Sequence, residues 1–324
     1  MSTAPDDEFL AAAQQALRGP AANALDELGW WELVDHVDDD ADARSAVFAV
    51  FRAQGRELAG SPALGGLLAA PYLDGSSLAP GAVIAAVRRD SLRRGPVWLV
   101  VGDLGARRVL FDDPESGVFL AEPDALDVRP VEIPGHATVQ EVTIDPSRHE
   151  VWPTAAPLDV LRARSLYLGR VALAAEILGT AEHAVDLAVQ YAGDREQFGQ
   201  PIGTFQAVRH LLAWARTDCV AVDAVVRAAL DLLADPPERY GEVVKALAGR
   251  NGRRACQRSL QVLGGIGFTA EHPHHHHYSR VLALDSLLGT SAELTADLGG
   301  WLRTDAADPG FARRAMHPRL ATDS

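Results

Sequence analysis

The sequence predicts an α+β fold that is mainly α: an N-terminal helical region, a reduced β domain and a C-terminal four-helix bundle. Three observations predict it. Apolar residues recur at helical spacing from about residue 6 to 73, short β-branched or aromatic runs fill about 81 to 151, and long helical patterns with short connections follow. The expected boundaries are 1–80, 81–152 and 153–303, with 304–324 as a surface tail lacking any periodic pattern.

In the first region Phe9, Leu10, Ala13 and Leu17 share one helical face, Leu25 to Leu28 starts another turn, and Val47 to Leu58 forms a third stretch. The acidic run Asp38 to Asp42 either caps that third helix, where negative charge is favourable, or is a solvated loop. Beyond residue 81, Val83–Val87, Val97–Val101, Arg108–Phe111 and Val118–Leu120 read as strands separated by turn clusters such as Asp112 to Gly117. Val139 to Ile144 alternates like a half-buried strand. So small a β domain needs to lean on its neighbours. After Pro153 and Pro157 the helices are expected at Leu158–Tyr191, Phe205–Leu233, Arg239–Leu263 and Ser279–Trp301. Asp235-Pro-Pro237 stops the second and Gly264-Gly265 the third, which gives an antiparallel bundle.

Composition narrows the function. A formal charge of −14 leaves no basic surplus for general nucleic-acid binding, although a local basic patch still suits an anionic ligand. Cys219 and Cys256 fall in helical patterns, which argues for a reducing compartment over a disulfide framework. The acidic N-terminus is unlike a signal peptide, and no apolar run approaches the roughly 20 residues that span a bilayer. The expectation is a cytoplasmic protein without membrane contact. No nucleophile elbow, P-loop or Rossmann fingerprint is present, and Gly264-Gly-Ile-Gly267 follows a helix where a dinucleotide fold would need a strand.

Two motifs carry chemistry. Arg195-Glu-Gln-Phe-Gly199 leads through Gln200-Pro-Ile-Gly203 into Phe205-Gln206, and Gln261-Val-Leu-Gly-Gly-Ile-Gly267 ends the third bundle helix. An arginine beside glycines whose backbone N–H groups are expected to be uncovered suits a pyrophosphate. In this order, with these flanking helices, the motifs strongly resemble the C-terminal domain of the acyl-CoA dehydrogenase family. Helical region, β domain and bundle follow the same family order. The resemblance is firm for about residues 157 to 303.

The resemblance implies an FAD shared between subunits, one gripping the flavin with its β domain and its neighbour reaching over. Arg195, Phe198, Gln206, Gln261, Gly264, Gly265 and Thr290 are the implied cofactor contacts here. It also implies a catalytic glutamate that removes an α-proton from an acyl-CoA while hydride leaves to the flavin. Both family positions for that base are changed. Leu288, 27 residues after Gln261 and just before Gly289-Thr290, fills one, and Gly169, followed by Arg170, fills the other. Neither accepts a proton. The flavin-gripping segments of the family's β domain are also missing, and Trp98 among its valines reads as core more readily than as a flavin neighbour.

The implied function is therefore a non-catalytic subunit of a heteromeric acyl-CoA dehydrogenase. A longer partner would supply the glutamate and the flavin grip. The short subunits of α2β2 enzymes acting on bulky, often steroidal, acyl-CoA side chains are the nearest resemblance, and the replacement of bulk and base near Leu288 and Gly169 would leave room for a ring system. Two alternatives stay open. One is a self-sufficient enzyme whose displaced base is Asp285, Glu293 or Glu176, with Glu182 a further acid on the first bundle helix. The other is a flavin-free acyl-thioester-binding or scaffold protein. Asp285 and Glu293 equally suit surface acids near helix ends, and Glu176 either faces inward or is solvated. Asp194-Arg195-Glu196 also admits a local ion-pair cluster. His272-Pro-His-His-His-His277 is read as a polar or substrate-facing loop in preference to a metal site, because consecutive histidines diverge and no carboxylate is suitably spaced.

Overall fold

The computed structural model describes residues 5–18, 24–79, 81–91, 95–133, 137–144 and 149–304. The expected surface tail, apart from Thr304, lies outside them. Five helices open the chain: α1 (Pro5–Leu17), α2 (Ala24–Glu27), α3 (Trp30–Val34), α4 (Ala41–Glu57) and α5 (Ala63–Leu73). The acidic run caps α4, since the Asp40 carboxylate accepts the N–H groups of Asp42 and Ala43. Trp30, Trp31, Phe48 and Phe51 pack edge-on and tilted into the core between these helices.

The β domain is a sandwich of two four-stranded sheets. Strands β1 (Val83–Ala85), β4 (Arg108–Asp113), β5 (Gly117–Ala121) and β8 (Glu150–Val151) form one sheet, in the order β1-β4-β5-β8. Strands β2 (Val87–Ser91), β3 (Gly95–Val101), β7 (Ala137–Ile144) and β6 (Leu126–Ile133) form the other, in the order β2-β3-β7-β6. Only β1 and β4 run parallel; the remaining pairs of both sheets are antiparallel. Ile84, Val100, Val109, Phe111 and Val142 make a small core of their own between the sheets. Trp98 sets its ring edge on Phe111 at 5.2 Å, so it belongs to that core. Asp112 accepts from the Tyr72 hydroxyl at 2.8 Å and from Arg162 at 2.8 Å, which fastens the sandwich to the helices.

Helices α6 (Leu158–Asp194), α7 (Gln206–Asp231), α8 (Tyr240–Leu263), α9 (His274–Asp285) and α10 (Ser291–Thr304) complete the fold. The expected last helix, Ser279–Trp301, is two helices. Leu288 and Gly289 break it with φ values of 54° and 98°, a left-handed turn that stops the helical ladder. The long α6 is the hub. It crosses α4 so closely that a methyl group on Gly55 would meet the Glu176 carbonyl, and one on Gly179 would meet the Arg52 carbonyl. Reciprocal glycines thus bring two backbones into contact, leaving no room for a larger residue at either position.

Candidate functional site

At one end of the bundle the two sequence motifs come together. Helix α6 stops at Asp194, and a short ribbon of β9 (Glu196–Gln197) and β10 (Gln200–Pro201) follows. Phe198 (φ 54°) and Gly199 (φ 77°) form its two-residue turn. Two positive φ angles match the twist of a tight hairpin, but asparagine or glycine, not phenylalanine, is the residue suited to the first. The Phe198 ring stands 92% exposed, touching only Phe205 edge-on at 6.1 Å. A satellite core then joins this ribbon to the end of α8: Ala188 and Ala192 of α6 meet Val262 and Leu263, with Ile202, Val208, Leu211 and Ile266 around them.

The side chains displayed there are uncommitted. Arg195, Gln206 and Gln261 are exposed and make no side-chain hydrogen bond or ion pair among the described residues, so the local ion-pair cluster expected as an alternative for Arg195 does not form there. Helix α7 begins at Gln206 without a side-chain cap, leaving its first-turn N–H groups available to an anion. The glycine turn differs from expectation. Gly264 donates its N–H to the Leu260 carbonyl and Gly267 is buried against Leu260 and Leu263, so neither offers a free donor. Gly264 (φ 63°) and Gly265 instead provide clearance, because a Cβ on either would meet nothing within 4 Å. Two residues at this end were not anticipated. Arg209, one turn into α7, bonds the Gly203 carbonyl through Nε at 2.9 Å, and Phe268 is 76% exposed beside the glycine turn.

The region of Leu288 and Gly169 is built differently. The two positions adjoin, as expected for one site, but the space between them is filled. A Cβ on Gly169 would lie 2.6 Å from Leu68 Cδ2 and 2.7 Å from Leu288 Cδ1. Leu68 and Leu288 converge on the glycine and take the space directly over it. Two cations pin the turn that carries Leu288. Arg170 donates Nε to the Leu288 carbonyl at 3.2 Å, and Lys245 donates Nζ to the carbonyls of Asp285 (3.1 Å) and Gly289 (3.3 Å). Lys245 is fully buried, and burial pushes its amine down to about 8.

Every displaced-base candidate has a structural engagement. Asp285 accepts from Ser291 N and Oγ at 3.0 Å each, and its carboxylate lies 3.6 Å from Lys245. Thr290 and Glu293 form a reciprocal cap at the start of α10. Thr290 donates N–H (2.9 Å) and Oγ1 (2.8 Å) to Glu293, which donates its own N–H back at 3.1 Å. Glu176 is buried and ion-paired to Arg280, and Glu182 is held by Arg52 at 2.7 Å. Thr290 is not brought to the other implied cofactor contacts. Its turn contacts α8 near Lys245 and Gly249, about 18 Å along the helix from Gln261 at 1.5 Å per residue.

The histidine segment is a correction. His274 to His277 form the first turn of α9, not a loop, and His274 and His277 are buried. Among the described residues no three His, Cys, Asp or Glu side chains converge as metal ligands, and no helix is long and apolar enough to cross a membrane. A groove of about 330 Å³ lined by Phe9, Leu33, Ala43 and Ala49 lies on the N-terminal helices and includes none of the candidate site residues.

Comparison with known proteins finds a family match for part of the chain. Residues 158–301 match the family model of the acyl-CoA dehydrogenase C-terminal domain. Acyl-CoA dehydrogenase FadE34 of Mycobacterium tuberculosis is 38% identical over 170 residues, covering 50% of this chain and 23% of that protein. Acyl-CoA dehydrogenase IpdE2 of Mycolicibacterium smegmatis is 34% identical over 121 residues, 37% of this chain and 38% of its own length. The chain thus spans well under half of these relatives. Among solved structures, a variant of the Tcur3481-Tcur3483 steroid ACAD aligns with a TM-score of 0.75 at 23% identity, covering 94% of this chain and 99% of that one. The ChsE4-ChsE5 complex from Mycobacterium tuberculosis gives 0.69 at 20% identity, covering 94% and 98%. At these identities the structures establish the fold.

Proposed function

We propose that the chain, whose residues 158–301 match the acyl-CoA dehydrogenase C-terminal domain and whose fold is that of these enzymes, is the non-catalytic subunit of a heteromeric, FAD-dependent enzyme of this kind. The observation that carries the proposal is the contrast between the two ends of α8. At one end Arg195, Gln206 and Gln261 are exposed and unspent beside an uncapped helix N-terminus and a glycine turn with open space around it. At the other, the place for a base holds Leu288 packed on Gly169.

The residues at the first end fit the anionic half of FAD. Arg195 and the N–H groups of α7 suit a pyrophosphate, and the exposed faces of Phe198 and Phe268 suit a planar ring. Bound there, FAD supplies the hydride acceptor for α,β-desaturation. This chain binds and orients part of the cofactor. A longer acyl-CoA dehydrogenase subunit supplies the catalytic glutamate and the flavin grip within a heterotetramer. The likeness to a structure described as a steroid ACAD and to a two-component complex supports the heteromeric reading and a bulky, steroid-side-chain acyl-CoA as substrate. That substrate would occupy the partner's cleft, since Leu68 and Leu288 fill this chain's own. A reducing, cytoplasmic setting belongs to the same proposal, supported by two buried free cysteines.

Co-expression with a longer homologue, followed by flavin content and subunit stoichiometry, tests the proposal. The complex is expected to hold fewer FAD molecules than subunits, and the isolated chain to bind FAD poorly. Loss of a charged hydrogen bond to phosphate costs about 1.5–3 kcal/mol, so Arg195→Ala is expected to weaken flavin affinity by roughly tenfold or more. Unchanged flavin content and activity in the mutant complex would remove the cofactor role from Arg195.

A further inference from the structure

The histidine-rich start of α9 is the feature that the proposed function does not use. His274 and His277, three residues apart, share the inward face of α9 with Arg280 and Val281. The His277 ring stacks on His183 of α6, centroids 4.6 Å apart and planes inclined by 30°. Nδ1 of His183 and Nδ1 of His277 are buried without a hydrogen-bond partner among the described residues, and the buried His274 ring has at most the Cys256 backbone to bond. Buried nitrogens so poorly satisfied in one seam are costly, and the closed seam disfavours a charged imidazole.

The surroundings leave no carboxylate free to receive a proton's charge. Facing His183 and His277 are Arg56 and Glu57 of α4, Arg18 just past α1, Asp186 of α6, and His276 of α9. Asp186 is held by Arg56 (2.8 Å) and Arg216 (2.6 Å), and Glu57 by Arg18 (2.9 Å). His274 faces Cys256 of α8, His272 and His275. One turn further along α9, Glu176 is committed to Arg280. Burial, followed by like charge from neighbouring histidines, pushes His277 down to about 3; burial leads the shift of His274 to about 4 and also lowers His183.

We propose that His183, His274 and His277 form an acid-sensitive latch that holds the start of α9, and the Gly264–Gly267 turn before it, against α6 and α8. Protonation is accommodated by opening, which separates stacked imidazoles that would otherwise both be cationic. The ordinary imidazole value of 6.5 sets the window. Above it the latch is closed and indifferent to pH; below it each freed imidazole takes a proton that the closed state refuses. At pH 5.5 this raises the open-to-closed ratio by about tenfold for each imidazole released, or roughly a hundredfold for His274 and His277 together.

Hydrogen–deuterium exchange of the full chain at pH 7.5 and 5.5, corrected for the intrinsic exchange rate, tests the latch without involving flavin or a partner. Its failure therefore leaves the cofactor reading standing, and the reverse. The expected result is a rise of one to two orders of magnitude in opening at residues 264–280, with the buried centre of α6 still protected. His277→Phe, which keeps a stacking ring, and His274→Leu are each expected to reduce that rise by about tenfold. Unchanged protection at 264–280 overturns the latch, as does an acid response undiminished in both variants. If neither variant folds, the wild-type imidazole resonances decide. Histidines 274 and 277 that titrate near 6.5 with no increase in exchange refute it.

Discussion

Glu176→Ala removes the carboxylate that neutralises Arg280, and the structure gives the scale of the loss. Glu176 is 1% exposed and Arg280 2%. The carboxylate accepts Arg280 Nε at 2.9 Å and a second guanidinium N–H, with Gln54 Nε2 at 3.3 Å. Among the described residues, the guanidinium then keeps only the Ala59 carbonyl at 2.8 Å, while its Nη1 already lacks a partner. Breaking one side of such a pair typically costs about 3–5 kcal/mol, against a total stability of about 5–15 kcal/mol for a domain. A loss of about 4 kcal/mol is expected. The double variant Glu176→Leu/Arg280→Met removes both charges and leaves only neutral groups unpaired, at about 1–3 kcal/mol. It is expected to be more stable than Glu176→Ala. Urea unfolding at pH 7.5, followed by circular dichroism on Glu176→Ala, Glu176→Leu, Arg280→Met and the double, measures the loss and the coupling. A single-mutant loss below about 1 kcal/mol, or a double variant as unstable as the summed singles, would refute the assignment of this pair as a coupled structural tie.

Lys245 gives a pH signature. Its amine, lowered by burial to about 8, loses its proton in the folded chain before the unfolded one does at 10.5, so this group's contribution to stability rises between those values. The wild-type profile minus that of Lys245→Met is expected to show that rise; a flat difference contradicts it. Phe198→Asn is expected to stabilise the isolated chain by about 1 kcal/mol, by relieving the left-handed turn, while weakening FAD in the complex. A thermal melt and a flavin titration read the two effects, and a destabilised free chain would show that the ring is rewarded within it. Leu288→Glu is expected to yield no acyl-CoA-dependent dye reduction by the isolated chain, since Leu68 still stands over Gly169 and the side chain at 288 replaces the leucine in the same crowded place. Measurable turnover by that variant would disprove the filled cleft.

What the sequence displayed and what it hid divide along physical lines. The long apolar stripes of α6, α7 and α8 depend on near neighbours in the chain, and they were legible. The acidic run left a cap and a solvated loop equally open, and the structure shows the cap at Asp40. Strand β6 was not. Asp127, Arg129 and Glu132 interrupt its apolar pattern and Pro130 argues against a strand, yet it pairs only with β7 and tolerates both as an edge. The break at Leu288 was hidden because leucines continue across it, and a leucine with positive φ has no sequence signature. At the candidate site the motifs were readable, but Arg209 and Phe268 emerged only once the helices were placed. The ties between α9 and α6 were invisible for a different reason. Glu176 and Arg280 are 104 residues apart, and four adjacent histidines look polar until a helix turns two of them inward.

The placement of the two ends of α8 has an evolutionary reading. Sites separated by more than about 10 Å with no shared partners respond to substitution almost independently. Lys245 and Gly249 support the Leu288 turn, whereas Val262 and Leu263 support the ribbon carrying Arg195, and no residue serves both. Selection can therefore relax at one end without eroding the other. A helix about 36 Å long, from Tyr240 to Leu263 at 1.5 Å per residue, acts as insulation between the two ends, so that substitutions at one need not be felt at the other.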